Sequence, residues 1–300
     1  MTPHATPFLG LEPTLCDPAT ARVVVVPFGY EGGVSYGRGT AAAPEAVIDA
    51  SHYLELYDEV LDDEPCRVGI ATAATPAIPD DPEAMLRTLE ALTGELIDQG
   101  KFVAVIGGDH SITTGFVRAL ARRTETFGVL QLDAHADLRD SYEGSPLSHA
   151  CTMARLREIT PHTLQIGIRS MSVEEAQRVK RERLALCTMH RFRGGSFDLA
   201  AELAHLPDKL FITVDVDVFD WSVIASTGTP EPGGMLWDEA MALLDVAFGT
   251  KQVIGVDVVE LAHRDHDPNS PFATAKLIYK MIGMKVAAAA GTNASLNISR

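Results

Sequence analysis

No run of lysine and arginine occurs anywhere in the 300 residues, and the chain carries a formal net charge of −16. Phosphate backbones are gripped by a positive footprint, so a nucleic-acid partner is disfavoured from the outset. Cysteine is scarce. Cys16, Cys66, Cys151 and Cys187 are far apart and form no C-x-x-C pair, which argues against both a disulfide framework and a thiolate zinc site. Reduced thiols and a cytoplasmic location are the expectation. Long apolar runs are missing as well. The most apolar stretch, residues 273–290, is interrupted by Lys276, Lys280 and Lys285 and reads as a half-buried helix, not a membrane span. Residues 1–15 lack the basic start and apolar run of a secretory signal. No stretch rich in proline, glycine or serine divides the chain and no solenoid-type repeat occurs, so one domain over residues 1–300 is expected.

Hydrophobic residues make up 46% of the chain, enough to bury a large core. They fall into short β-branched runs at 23–27, 67–71, 102–106, 128–132, 163–168, 185–189, 210–216 and 252–258. Several are almost continuously apolar, the pattern of a strand covered on both faces. Helical periodicity fills the gaps at 44–56, 82–99, 113–123, 172–184 and 237–248. Such alternation predicts an α/β fold of three α/β/α layers around a mostly parallel sheet of roughly eight strands. Ligands of open α/β sheets bind where loops leave the carboxyl ends of the strands, so the residues there matter most.

Four of those ends break abruptly into ionisable residues: GGDHS at 107–111, DAHAD at 133–137, DVDVFD at 215–220, and Glu260. In extended chain, residues two apart share a face, so Asp133, His135 and Asp137 are expected to converge, as are Asp215 and Asp217. Burying four carboxylates together is prohibitive unless cations neutralise them. Two divalent ions balance four aspartates, and His110 and His135 complete a set of six ligands. Taken singly, His110 reads as a buried core histidine and an Asp-x-Asp pair as loop chemistry. Their coincidence at neighbouring strand exits points instead to a metal centre. Carboxylate and imidazole ligands suit Mn²⁺ first, with Ni²⁺, Co²⁺, Fe²⁺ and Zn²⁺ as alternatives.

In these motifs the chain resembles the arginase–agmatinase (ureohydrolase) family. The resemblance adds SHA at 148–150, TGTPEPGG at 227–234, DVVE at 257–260 and SYGRGT at 35–40, and covers about residues 23–285. It implies one metal on His110, Asp133, Asp137 and Asp215 and another on Asp133, His135, Asp215 and Asp217, with hydroxide as the nucleophile. It also implies that Glu260 pairs with a guanidinium, that His149 protonates the departing amine or shuttles protons, and that Thr229 lines the pocket. Asp137, His149 and Glu260 are therefore the expected catalytic groups. Gly228, Gly233 and Gly234 are expected to shape the loop.

Arginases carry an asparagine-containing loop before the catalytic histidine. Here that stretch is Ser145-Pro146-Leu147-Ser148, so agmatine, hydrolysed to putrescine and urea, is the expected substrate. Guanidinobutyrate, guanidine, arginine and formimidoylglutamate are alternatives. A metal-dependent amide deacetylase and a non-catalytic relative are the rival classes, both disfavoured by the complete ligand set. The resemblance implies a homo-oligomer, trimer or hexamer. Trp221 and the Ala225-Ser226 pair depart from the family pattern and are expected to alter loop shape beside the pocket. The charged run at 263–267 is expected to be a solvated loop.

Overall fold

A computed structural model describes residues 1–2, 4–33 and 35–291. The expected 1–300 span also includes 3, 34 and 292–300, which lie outside the described residues. Eight strands form one parallel sheet: β1 (Val23–Phe28), β2 (Ile70–Thr72), β3 (Phe102–Gly107), β4 (Gly128–Leu132), β5 (Thr163–Ile168), β6 (Ala185–Thr188), β7 (Lys209–Asp215) and β8 (Gln252–Val259). Their order is β2-β1-β3-β8-β7-β4-β5-β6, and every pairing is parallel.

Successive residues serve opposite layers, as the two-residue repeat of a strand requires. In β1, Val23 and Val25 enter one core while Val24 and Val26 enter the other. The first core is covered by α1 (Ala43–Ser51), α8 (Trp237–Thr250) and α9 (Asn269–Ala290), through Val47, Leu244 and Leu277 among others. The second lies under α2 (Pro82–Asp98), α3 (Thr113–Ala121) and α4 (Thr152–Ile159), through Leu89, Phe116 and Leu156. The three-layer α/β/α expectation holds.

Local sequence explains most boundaries. Asp81 accepts a hydrogen bond from the Ala84 amide and caps α2, whose first residue is Pro82. Ser172 and Glu175 form a reciprocal capping box on α5 (Val173–Glu182). Several expected ends shift. The helix expected to reach residue 56 stops at Ser51, and the second strand begins at Ile70 because residues 65–68 form a proline-initiated 3₁₀ turn. The expected sixth strand loses Met189, which opens α6 (Met189–Arg193). Helix α4 and two short helices, α6 and α7 (Leu199–Ala204), carried too little periodicity to be predicted.

The terminal helix α9 does lie half-buried as expected. Its Lys280 is buried against Asp58 and Glu59, at 3.0 and 2.8 Å, and Lys285 donates to the Val253 carbonyl. Among the described residues, no helix is long and apolar enough to cross a membrane.

The charged run at 263–267 is not simply solvated. Asp267 accepts hydrogen bonds from the Ser226 and Ser270 hydroxyls, at 2.6 and 2.5 Å, and Arg264 donates to the Arg38 carbonyl. The Ala225 and Ser226 amides in turn donate to Ser270 Oγ. The Ala225-Ser226 departure is thus tied to the start of α9. Trp221 is 50% exposed and stays out of the central cavity, so neither departure borders the pocket.

Candidate metal centre and its surroundings

The strand order makes the site. From β3 the chain passes beyond the places of β8 and β7 to lay down β4, and later returns to fill the gap. The carboxyl ends of β3, β8, β7 and β4 become neighbours, and these four ends carry the ionisable clusters. This is the switch-point crevice of an open α/β sheet.

His110 opens a 3₁₀ turn after β3. Its Nδ1 has no hydrogen-bond partner of good geometry and faces Asp137 Oδ2 at 3.1 Å, Asp133 Oδ2 at 3.2 Å and Asp215 Oδ2 at 3.4 Å. On the other side, His135 Nδ1 lies 2.8 Å from Asp217 Oδ2 and 3.7 Å from Asp133 Oδ1. Two groups, His110–Asp133–Asp137 and Asp133–His135–Asp217, each bring their donor atoms within 4.8 Å of one another. Asp133 belongs to both. Asp215 reaches the first group through His110.

The route to this convergence differs from the extended-chain expectation. Strand β4 ends at Leu132, and Asp137 adopts a left-handed backbone (φ 53°). Strand β7 ends at Asp215, and Asp217 sits in a 3₁₀ turn with its amide donating to Asp215 Oδ1. His135 and Asp137 consequently serve different groups. Ala134 and Ala136 are buried, and the Ala134 amide donates to Asp217 Oδ1.

Electrostatics show what the cluster needs. Burial, then the nearby Asp133 charge, pushes Asp137 up to about 6. Burial, then Asp217 and Asp133, raises Asp215 well above the carboxylate range. Burial alone would lower both histidines. The carboxylates overcome it, raising His110 strongly and pushing His135 up to about 12. These shifts all run in the direction that favours added positive charge, and an unpartnered ring nitrogen faces three carboxylates. Oxygen and imidazole donors clustered in this way fit divalent cations.

Glu260 lies buried just past β8 with a left-handed backbone (φ 65°), a conformation costly for a residue with Cβ and concentrated at functional sites. Its Oε1 accepts the His110 amide at 2.7 Å, and burial, then the Asp109 charge, raises its pKa well above normal. A cavity of about 270 Å³ connects Glu260, Asp137 and Asp215 with Thr229, His149 and Ser35. Thr229 Oγ donates to Asp217 Oδ2 at 3.3 Å. His149 stacks edge-on against Tyr142, with ring centres 5.8 Å apart, and its Nε2 is 3.5 Å from Ser35 Oγ. Of the sequence-predicted site residues, His110, His135, Asp137, His149, Asp215, Thr229 and Glu260 border this space, while Asp133 and Asp217 lie buried behind it against His110 and His135. Of the loop glycines, Gly233 has a left-handed backbone and Gly234 leaves no room for a Cβ against Phe219.

Arg169, Gln131 and Gln165 carried no sequence signal of their own, and Asp109 stood in the GGDHS cluster without an assigned role. Arg169, after β5, donates to the carbonyls of Asp217, Glu231 and Pro232, clamping the Asp217 turn to the Thr229 loop. Gln131 donates to Asp133 and accepts from Gln165, its register partner on β5. Asp109 accepts the Gly33 and Ser111 amides and so ties down the loop that carries Ser35.

Known proteins resemble this chain in sequence and fold. Residues 21–283 match the arginase family. An N(1)-aminopropylagmatine ureohydrolase from Synechocystis sp. is 42% identical, over 88% of this chain and 89% of its own. An agmatinase from Pyrococcus horikoshii is 31% identical, over 91% and 95%. The crystal structure of an agmatine ureohydrolase from Thermoplasma volcanium superposes with a TM-score of 0.82 at 28% identity, covering 89% of this chain and 90% of that one. The family's members hydrolyse C–N bonds of guanidino compounds. With a family match across nearly nine-tenths of its length, the chain belongs to the arginase family.

Proposed function

We propose that the protein is a two-metal amidinohydrolase that converts agmatine to putrescine and urea. The observation that carries this reading is the buried convergence of His110, His135 and four aspartates beside a carboxylate, Glu260, suited to a guanidinium. One ion would be held by His110, Asp133, Asp137 and Asp215, the other by Asp133, His135, Asp215 and Asp217. When bound, such a pair makes a coordinated water acidic enough to supply hydroxide near neutral pH.

The chain's own residues do the rest. Glu260 binds and orients the planar cation by charge-assisted hydrogen bonds. Thr229, bonded to Asp217, bounds the substrate from the loop side. His149, partly exposed in the wall of the cavity, would hand a proton to the leaving amine. Loop 142–149 has no asparagine to grip an α-amino acid head, which supports a decarboxylated substrate. Manganese as the native ion, one ureohydrolase domain, a homo-oligomer of three or six chains and a cytoplasmic location belong to the same proposal. The family resemblance and four free cysteines support them.

A second reading is favoured by one observation, the substrate for which the Synechocystis relative is named: in it the amine end of agmatine carries an aminopropyl extension. Agmatine, N(1)-aminopropylagmatine, arginine, guanidinobutyrate and guanidine, assayed with Mn²⁺ for urea release, separate the readings. Agmatine is expected to give the highest kcat/KM. A higher value for the extended amine moves the substrate to the second reading, and a preference for arginine overturns the loop argument.

Metal loading should depend steeply on pH. Binding must strip the proton from His135, which burial alone would make more acidic but the neighbouring carboxylates hold up to about 12, and from Asp137, raised to about 6. Both shifts favour the proton, so Mn²⁺ affinity rises as pH rises from about 5 to about 8, with protons released on binding. Calorimetric titration in buffers of different ionisation enthalpy reads this directly. An affinity flat across that range would contradict it.

A further inference from the structure

Behind the metal-facing ring of His110 lies a buried polar chain that none of the roles above uses. His110 Nε2 is 2.9 Å from Thr213 Oγ1, and both residues are fully enclosed. Thr213 on β7 and Asp257 on β8 are register partners, so their side chains stand side by side on one face of the sheet. That face is the α3 side, since Phe211, two residues before Thr213, and Val259, two after Asp257, both belong to the core there. Asp257 is 0% exposed, and neither of its carboxylate oxygens has a hydrogen bond of good geometry. Thr113, at the start of α3, also has an unpartnered hydroxyl, and the Thr113 and Thr213 hydroxyls both lie near enough to favour the charged form of Asp257.

Buried polar groups almost always find partners, and a hydroxyl needs only to rotate. A neutral imidazole has one N–H. If Nδ1 is bare toward a cation, the proton is on Nε2 and is donated to Thr213 Oγ1. The Thr213 hydroxyl proton must then go elsewhere, and Asp257 is the acceptor beside it. Thr113 can supply a second donor. With these rotations every orphan in the chain is satisfied.

We propose that Asp257, acting through the Thr213 hydroxyl, is a positioning residue that holds His110 in the tautomer presenting a bare Nδ1 to the Asp133–Asp137–Asp215 side of the centre, and thereby sets cation affinity there. The proposal rests on His110 being a metal ligand. Outer partners of this kind orient the ligand and raise its basicity, and their loss typically weakens metal binding about 10–100-fold.

The test titrates Mn²⁺ into metal-free wild type, Thr213→Val, Thr213→Ser, Asp257→Asn and His110→Ala, counting bound ions by equilibrium dialysis. Thr213→Val should weaken one of two ions by about 10–100-fold. Thr213→Ser, which keeps the hydroxyl, should bind like wild type. Asp257→Asn, with a weaker acceptor of the same shape, should weaken the same ion to a smaller degree. In the zinc-loaded, ¹⁵N-histidine-labelled protein, the His110 Nε2 proton should give a downfield, slowly exchanging resonance. It should be lost in Thr213→Val and moved upfield in Asp257→Asn. A purely packing role for Asp257 would leave that resonance where it is. Unchanged affinities in Thr213→Val and Asp257→Asn, or an unmoved resonance, overturn the proposal; if Thr213→Val does not fold, Asp257→Asn decides alone. His110→Ala separates the two levels. If it still binds two ions as tightly as wild type, the ligand reading fails and the proposal with it. If it loses an ion while the other variants bind like wild type, only the relay fails.

Discussion

Asp217→Ala should reduce urea release by at least ~10³-fold, about 4 kcal/mol of transition-state stabilisation, and leave the protein with one tightly held Mn²⁺ in place of two. Asp217 is buried, lies 2.8 Å from His135 Nδ1 and adds to the charge crowding that raises Asp215. Its removal deletes one of the four charges that the proposed ion pair balances. It also leaves the Ala134 amide without its acceptor. Asp217→Asn is therefore the companion variant, since its amide oxygen can still accept that N–H while the charge is gone. If charge is what matters, both variants lose activity and the second ion. Two ions and near-normal turnover in either variant would remove Asp217 from the centre.

Glu260→Gln carries the next largest expectation. Glutamine can still accept the His110 amide, so the backbone tie across the cavity persists. The guanidinium loses its charged partner. Removing one member of a buried charge pair costs about 2–5 kcal/mol, so kcat/KM should fall about 10²–10³-fold with a marked rise in KM, while Mn²⁺ stoichiometry stays at two. Steady-state kinetics with agmatine and metal analysis of the same samples check both halves. A variant that loses metal but keeps its KM would show that Glu260 supports the ions and not the substrate.

The strand pattern and the ligand clusters were legible in the sequence for a physical reason. Strands covered on both faces must be apolar nearly throughout, so the point where such a run breaks into aspartate and histidine is conspicuous. His110, Asp133 and Asp215 stand at those breaks. Geometry beyond the strand ends was not legible. Equal spacing suggested a shared face for Asp133, His135 and Asp137, but the left-handed turn at Asp137 sends it to the His110 side while His135 turns to Asp217. Residues that act through others were silent too. Gln131 and Thr213 sit inside the apolar runs, where a single polar residue in one sequence looks like noise until its neighbour across the sheet is known, and Asp257, although it opens the DVVE motif, gave no hint of what it faces. Arg169 grips backbone carbonyls, an interaction that leaves no trace in the identity of its partners.

The sheet order also bears on the order of assembly. Strand β8, the last of the eight in the chain, is inserted between β3 and β7, and it brings Asp257 and Glu260 with it. Until that strand docks, β3 is paired only with β1 and β7 only with β4, and no strand between them sets their final spacing. A chain still lacking its last fifth thus carries all six proposed ligands without the frame that gathers them. On the proposed reading, a complete site for the two ions exists only after the sheet has closed.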